Sequence, residues 1–246
     1  MGKKRIKFDF LIHDLKVPLA VIEAGIQSLL QKEDKYGPLT EKQLKVLQRA
    51  LRNTIVTRTL VNDALELGRS AEGIITRSGL HLSALLLQTL VEVFDLTGHD
   101  TAEKIKDCSD LETLKHIIAE NGIVLEIDER LWCKEIRVDE SKVKQILRNL
   151  LTNALKYRKK KIDLKMVEED DRLSITVKDD GEGIPAGYHK RIFECYFQMD
   201  MRRDHCVRGH GLGLAGVQVL LEDMGGEMFL DSDVGRGAAF SVKIPL

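Results

Sequence analysis

Asn149 and Asn153 lie four residues apart in the run NLLTNALKY, and three glycine-rich segments follow at 179–183, 209–213 and 235–237. Residues four apart share a helix face, so two neutral amides stand side by side while Val143, Ile146, Leu147, Leu150 and Ala154 pack elsewhere. An amide oxygen suits a hard cation that already carries water and phosphate oxygens. Asn153 is therefore read as a magnesium ligand, with Asn149 holding the metal or its waters. Lys156 and Tyr157 follow one turn on, within reach of a phosphate chain. Gly209-His210-Gly211-Leu212-Gly213-Leu214 opens a helix, and free amides at a helix start bind phosphate oxygens. Asp179-Asp180-Gly181-Glu182-Gly183-Ile184-Pro185 allows a tight turn that brings backbone close to a flat ligand. This order and spacing describes a nucleotide pocket, and the Walker pattern GxxxxGK[ST] is absent.

A second chemistry lies in His13-Asp14-Leu15-Lys16-Val17-Pro18-Leu19. A neutral imidazole is available near pH 7, since its ordinary pKa is about 6.5. One ring nitrogen attacks only if the other keeps the proton, and the Asp14 carboxylate suits that orienting or general-base task. Lys16 either pairs with a phosphoryl group or is simply solvated. Pro18 removes an amide and crowds the carbonyl of residue 14, at about 3 kcal/mol in a helix interior, so a bend is expected there. Arg202, Arg203 and Arg208 are cationic candidates for a phosphate chain, or else a solvated run. His189, His205, Cys206 and His210 match no metal-ligand spacing.

These groups must be carried by two kinds of framework. Phe8, Ile12, Leu15, Leu19, Ile22, Ile26 and Leu29 form an apolar seam at the spacing of bundle packing. Tyr36-Gly37-Pro38-Leu39-Thr40 turns the chain, and a second helix from about 41 carries Leu44, Leu47, Leu51, Ile55, Val61 and Leu65. Two long helices cannot cover each other's stripes, so a second copy completing a four-helix bundle, hence a homodimer, is expected. After about residue 70 the pattern mixes helices (80–94, 140–157, 212–223) with strands (124–127, 162–167, 173–177, 227–230, 240–244), an α/β layer arrangement. The expected division is 1–72 and 73–246. The stretch Leu96 to Asp110 fits neither pattern well.

With 43% apolar residues and a formal net charge of -1, the chain has core enough for two domains and no charge basis for a nucleic-acid surface. Cys108, Cys133, Cys195 and Cys206 form no regular framework, which favours free thiols in a reducing, cytoplasmic setting. No uncharged apolar run of spanning length occurs, so any membrane sensor is expected outside this chain.

Together the His13 segment, the asparagine pair and the glycine boxes make the chain resemble, over nearly its whole length, a sensor histidine kinase of two-component signalling. The resemblance implies an α+β protein: a helical hairpin forming a dimeric four-helix bundle, then a two-layer α/β sandwich with a mixed sheet, the Bergerat ATP-binding fold. It implies ATP and Mg2+ as cofactors, autophosphorylation of His13, and transfer to an aspartate of a response-regulator receiver domain, with an upstream sensor protein or domain. In that family the position of Asp179 accepts a hydrogen bond from the adenine amino group, with Gly183 on the base, and Gly181 and Ile184 are counted with them as nucleotide-binding residues. The loop between Phe193 and Gly209 resembles the ATP lid, anchored by Phe193 and Phe197. Gly235 and Gly237 resemble the last glycine box, with Ala238 where threonine is usual. Related ATPases such as gyrase and MutL place a water-activating glutamate where this chain has Asn149. Members that also act as phosphatases commonly carry threonine or asparagine where this chain has Val17. The other readings are an ATPase of the same fold, a serine/threonine kinase, and a non-catalytic dimeric scaffold.

Overall fold

The structure is a computed structural model that describes residues 8–70, 75–95, 101–194, 197 and 213–246, with the side chains of 8–14, 56, 59–60 and 62–70 outside the description. The chain divides into two compact units, 1–72 and 73–246.

The first unit is a helical hairpin of α1 (Phe8–Gln31), a short α2 (Glu33–Tyr36) and α3 (Glu41–Ser70). Gly37, at φ 78°, ends α2 and donates its N–H to the Glu33 carbonyl at 2.7 Å. Thr40 and Gln43 then satisfy each other's backbone amides, Thr40 N–H to Gln43 Oε1 at 2.9 Å and Gln43 N–H to Thr40 Oγ1 at 3.3 Å. That reciprocal pair starts α3 as a capping box. An ion pair of 2.7 Å between Arg58 and Glu23 ties α3 to α1. Leu19, Ile26 and Leu29 are half-buried, but Leu15 and Ile22 of the same seam remain 44% and 49% exposed. Val17 and Val21 add a second exposed apolar row. Within a single chain the hairpin thus leaves part of its apolar surface uncovered, because one facing helix can cover only one stripe.

The second unit layers helices on a five-stranded sheet of order β2-β4-β5-β7-β6, made of β2 (Ile123–Ile127), β4 (Ile162–Glu169), β5 (Arg172–Asp179), β6 (Glu227–Ser232) and β7 (Ala238–Pro245). The β2–β4 pair is parallel and the rest antiparallel. Alternation sends Leu164, Ile175, Val177, Phe240 and Val242 into the core. There they join Leu147, Leu150 and Leu151 of α8 (Glu140–Tyr157) and Val217 and Leu220 of α9 (Gly213–Met224). Also in the layer are α4 (Leu82–Asp95), α5 (Thr101–Lys106), α6 (Leu111–Ala119) and α7 (Glu129–Trp132). The awkward stretch 96–110 contains α5, whose buried Ala102 and Ile105 pack it on α4, while 96–100 lie outside the described residues. A separate two-stranded ladder, β1 (Ser78–His81) with β3 (Glu135–Val138), escaped the sequence reading. Four residues are too few to register a period.

Candidate functional site

Helix α8 begins at an Asp139 cap and runs amphipathically, burying Val143, Ile146, Leu147 and Leu150. On its other face Asn149 is 8% exposed, and its Nδ2 donates to the Gly213 carbonyl at 3.2 Å. This bond ties the amide to the first residue of α9, the end of the second glycine segment. Among the described residues, neither the Asn149 Oδ1 nor the side chain of the half-buried Asn153 has a hydrogen bond. Among the described residues, two amide oxygens on one helix face therefore keep their acceptor capacity. At the end of the helix the Lys156 ammonium lies 4.9 Å over the ring of the exposed Tyr157.

The loop after β5 is folded onto the turn between β6 and β7, backbone against backbone. A Cβ at Gly183 (φ 73°) would collide with the Asp233 carbonyl, and one at Gly237 (φ 76°) with the Asp179 carbonyl. A Cβ at Gly181 would likewise collide with the Tyr157 carbonyl at the end of α8. Gly235, at φ 82°, faces open space, so only its left-handed backbone requires glycine. Its N–H donates to the Glu182 carbonyl at 2.7 Å. Ser232 bridges the two segments: its hydroxyl accepts from the N–H of the buried Ile184 at 2.8 Å and donates to the Gly237 carbonyl at 2.7 Å. The sequence reading missed Ser232, because a lone serine at a strand end carries no pattern.

Asp179 is 5% exposed at the end of β5. Its Oδ1 accepts from the N–H of Gly181 at 2.8 Å and of Ala238 at 3.4 Å. No hydrogen bond among the described residues reaches Oδ2. Burial pushes its carboxyl above the ordinary carboxylate range, against the opposing pull of those two N–H groups. At neighbouring Asp180 burial pulls the same way, but the N–H groups of Lys160, Lys161 and Lys159 outweigh it and hold the carboxyl below the ordinary range. One of the two adjacent carboxylates is thus structural, and the other is buried with one oxygen open. Ala238, which lacks a hydroxyl, still contributes its backbone N–H to this site.

Beyond the loop, Phe193 is half-buried on the core, and Phe197 stacks on Tyr188 with centroids 5.8 Å apart. The Arg191 guanidinium lies 4.4 Å over the Phe197 ring. Tyr188 and Arg191 thus join an aromatic anchor that sequence reasoning limited to the phenylalanines. His189 Nε2 bonds the Ile184 carbonyl at 2.8 Å, a structural use of that imidazole. Leu214 is half-buried at the start of α9, and Lys16 is exposed on α1. Gly209, Gly211, Leu212, Arg202, Arg203 and Arg208 lie outside the described residues, as do His205, Cys206 and His210. The backbone of His13 and Asp14 is helical within α1, and their side chains lie outside the description.

Two domain families match this chain. Residues 138–246 match the histidine kinase-, DNA gyrase B- and HSP90-like ATPase, and residues 9–73 match the His Kinase A (phospho-acceptor) domain. These matches give the class first: a mixed-sheet domain of the ATPase family joined to a hairpin of the phospho-acceptor family. The chain belongs to the histidine kinases of two-component signalling. It is 25% identical to the sensor histidine kinase WalK of Bacillus subtilis, covering 95% of this chain and 35% of that protein. It is 30% identical to the circadian input-output histidine kinase CikA of Synechococcus elongatus, covering 95% of this chain and 29% of that protein. The chain thus spans about a third of the length of these curated relatives. Among solved structures, full-length ShkA in complex with AMPPNP has the same fold, with a TM-score of 0.64 at 24% identity, covering 97% of this chain and 45% of that one. The histidine kinase AdeS of Acinetobacter baumannii matches with a TM-score of 0.57 at 17% identity, covering 95% of this chain and 97% of that one.

Proposed function

We propose that this chain is an ATP-dependent protein-histidine kinase that moves the γ-phosphoryl group of ATP to His13 and then to an aspartate of a response-regulator receiver domain. The observation that carries this reading is the pairing of a buried Asp179 carboxylate, one oxygen open, with open amide oxygens on α8. One end suits the adenine amino group and the other a hydrated divalent cation with its phosphates. Residues 73–246 then hold the nucleotide, and residues 1–72 dimerise and carry the phosphate. The uncovered apolar rows on α1 support a homodimer.

In this reading Asp179 Oδ2 accepts from the adenine amino group, and the Gly181–Ile184 turn lies along the base. Asn153 and Asn149 would hold Mg2+, which neutralises charge on the phosphate oxygens when bound. Gly209, Gly211, Leu212, Gly213 and Leu214 would supply backbone amides to the phosphates, with Lys156, Arg202, Arg203 and Arg208 as candidate cations and Phe193 and Phe197 as the lid's aromatic anchor. One imidazole nitrogen of His13 attacks the γ-phosphorus, and the bond from that phosphorus to the β-phosphate oxygen breaks. ADP leaves with the electron pair, and the proton on the other ring nitrogen is held or taken by Asp14. Asn149 has no basic group with which to activate water, so hydrolysis does not compete with transfer to His13.

The test is incubation with γ-labelled ATP and magnesium followed by mapping of the modified residue. Acid-labile, base-stable label on His13, abolished in His13→Gln with ATP affinity retained, is expected. Label on serine or threonine, or persisting in His13→Gln, would refute the assignment.

A further inference from the structure

Asp139 joins β3 to α8, and both of its carboxylate oxygens are engaged although the residue is only 6% exposed. Oδ1 accepts from the Lys142 N–H at 3.2 Å and the Ser141 hydroxyl at 2.8 Å, which caps α8. Oδ2 accepts from the backbone N–H of Thr76 at 2.9 Å. Thr76 lies just after the boundary between the two units, on the chain leading into β1. A helix cap requires only one side-chain oxygen. The second oxygen is spent on the entering chain, in a charge-assisted bond stronger than a neutral one. A groove of about 400 Å³, lined by Thr76, Ser78, Glu92, Asp139, Lys144 and Gln145, borders this contact. The groove's lysine is already engaged, Lys144 reaching Glu92 at 3.2 Å and Gln88 at 3.1 Å.

We propose that Asp139 is a positioning residue that latches the chain entering the ATP-binding unit onto the first turn of α8. Any displacement of that chain is then delivered to the helix that carries Asn149 and Asn153. The latch rests on the reading of this chain as an ATP-dependent histidine kinase, because its output is the geometry of phosphoryl transfer. Small displacements of reacting groups cost rate steeply, about a hundredfold for 1 Å, so the latch is read in turnover at saturating ATP, where a change in nucleotide affinity does not enter.

The experiment uses the full chain and compares the parent with Asp139→Asn, which keeps a capping oxygen, Thr76→Pro, which removes the donated N–H together with the threonine hydroxyl and fixes φ at that residue, and Ser141→Ala as a control. Amide hydrogen exchange at Thr76, Mg-ATP affinity, melting temperature and the rate of His13 labelling at saturating ATP are measured. The expected result is a protected Thr76 amide in the parent and a freed one in Asp139→Asn. Labelling should slow about tenfold or more in Asp139→Asn and Thr76→Pro, with parent-like ATP affinity and melting, and stay unchanged in Ser141→Ala. Unchanged labelling in Asp139→Asn with the Thr76 amide freed overturns the latch. So does a rate loss that merely follows lost ATP affinity, which would reduce Asp139 to a cap. If Thr76→Pro fails to fold, Asp139→Asn decides. Failure of the kinase reading itself is visible in the parent, which would bind Mg-ATP without labelling His13, and the latch falls with it.

Discussion

A buried carboxyl with a raised pKa binds its proton more tightly in the folded chain than in the unfolded one. For Asp179, between the ordinary carboxylate value and the raised folded value, the folded state holds more protons. Stability therefore falls as pH rises through that window, and the deficit is complete above it. Asp179→Asn removes the titration and keeps one oxygen for the Gly181 and Ala238 amides. We expect the nucleotide-free variant to melt at or above the parent temperature at pH 7, with the difference shrinking in acid, as calorimetry over pH would register. The same change puts an amide donor where the adenine amino group needs an acceptor, so ATP affinity should fall by about tenfold or more. An Asp179→Asn chain that bound ATP like the parent would remove Asp179 from the base site. At the other end, Asn153→Ala should lose the magnesium-dependent part of nucleotide binding, measured by titration with and without the metal.

The two glycine turns behave as one element, because each occupies space the other's side chain would need. Gly183→Ala meets both a left-handed backbone, about 1–2 kcal/mol, and a collision with the Asp233 carbonyl. Gly235→Ala has the same backbone problem and open space. Denaturant unfolding should therefore rank Gly183→Ala as clearly more destabilising than Gly235→Ala, which should lose only about 1–2 kcal/mol. Equal losses would mean that the collision is relieved by movement of the turn. Ser232→Ala leaves the Ile184 amide without its acceptor, a loss of about 1–3 kcal/mol.

For the molecule as a whole, the hairpin carries the prediction, since Val21 is 66% and Ile22 49% exposed in the single chain. If a second hairpin covers them, Val21→Glu with Ile22→Glu buries unpaired charge and should shift the chain to monomer in sedimentation, with the ATP-binding unit still folded. A dimer that survives both changes would place the interface elsewhere. Val17, 53% exposed on α1 beyond the His13 turn, offers no hydrogen bond to orient a water. Val17→Thr should therefore add phosphatase activity toward a phosphorylated regulator while leaving His13 labelling nearly intact. Rapid decay with the parent, unchanged by the substitution, would show the water is held elsewhere.

What could be read without coordinates is whatever repeats locally. The 3.6-residue period of α8 and the alternation of β5 and β7 lie within single segments, and their elements fall within a residue or two of the expected bounds. The asparagine pair was legible for the same reason, as one helix face. Residues that act through distant partners were not. Ala238 reaches Asp179 across 59 positions, Ser232 reaches Ile184 across 48, and Thr76 reaches Asp139 across 63. The β1–β3 ladder likewise exists only as a pairing of two four-residue strands. A local pattern can say which face of a segment turns inward. Which carboxylate oxygen stays open, and which amide fills the other, depends on what the fold brings alongside, and only the tertiary structure decided that.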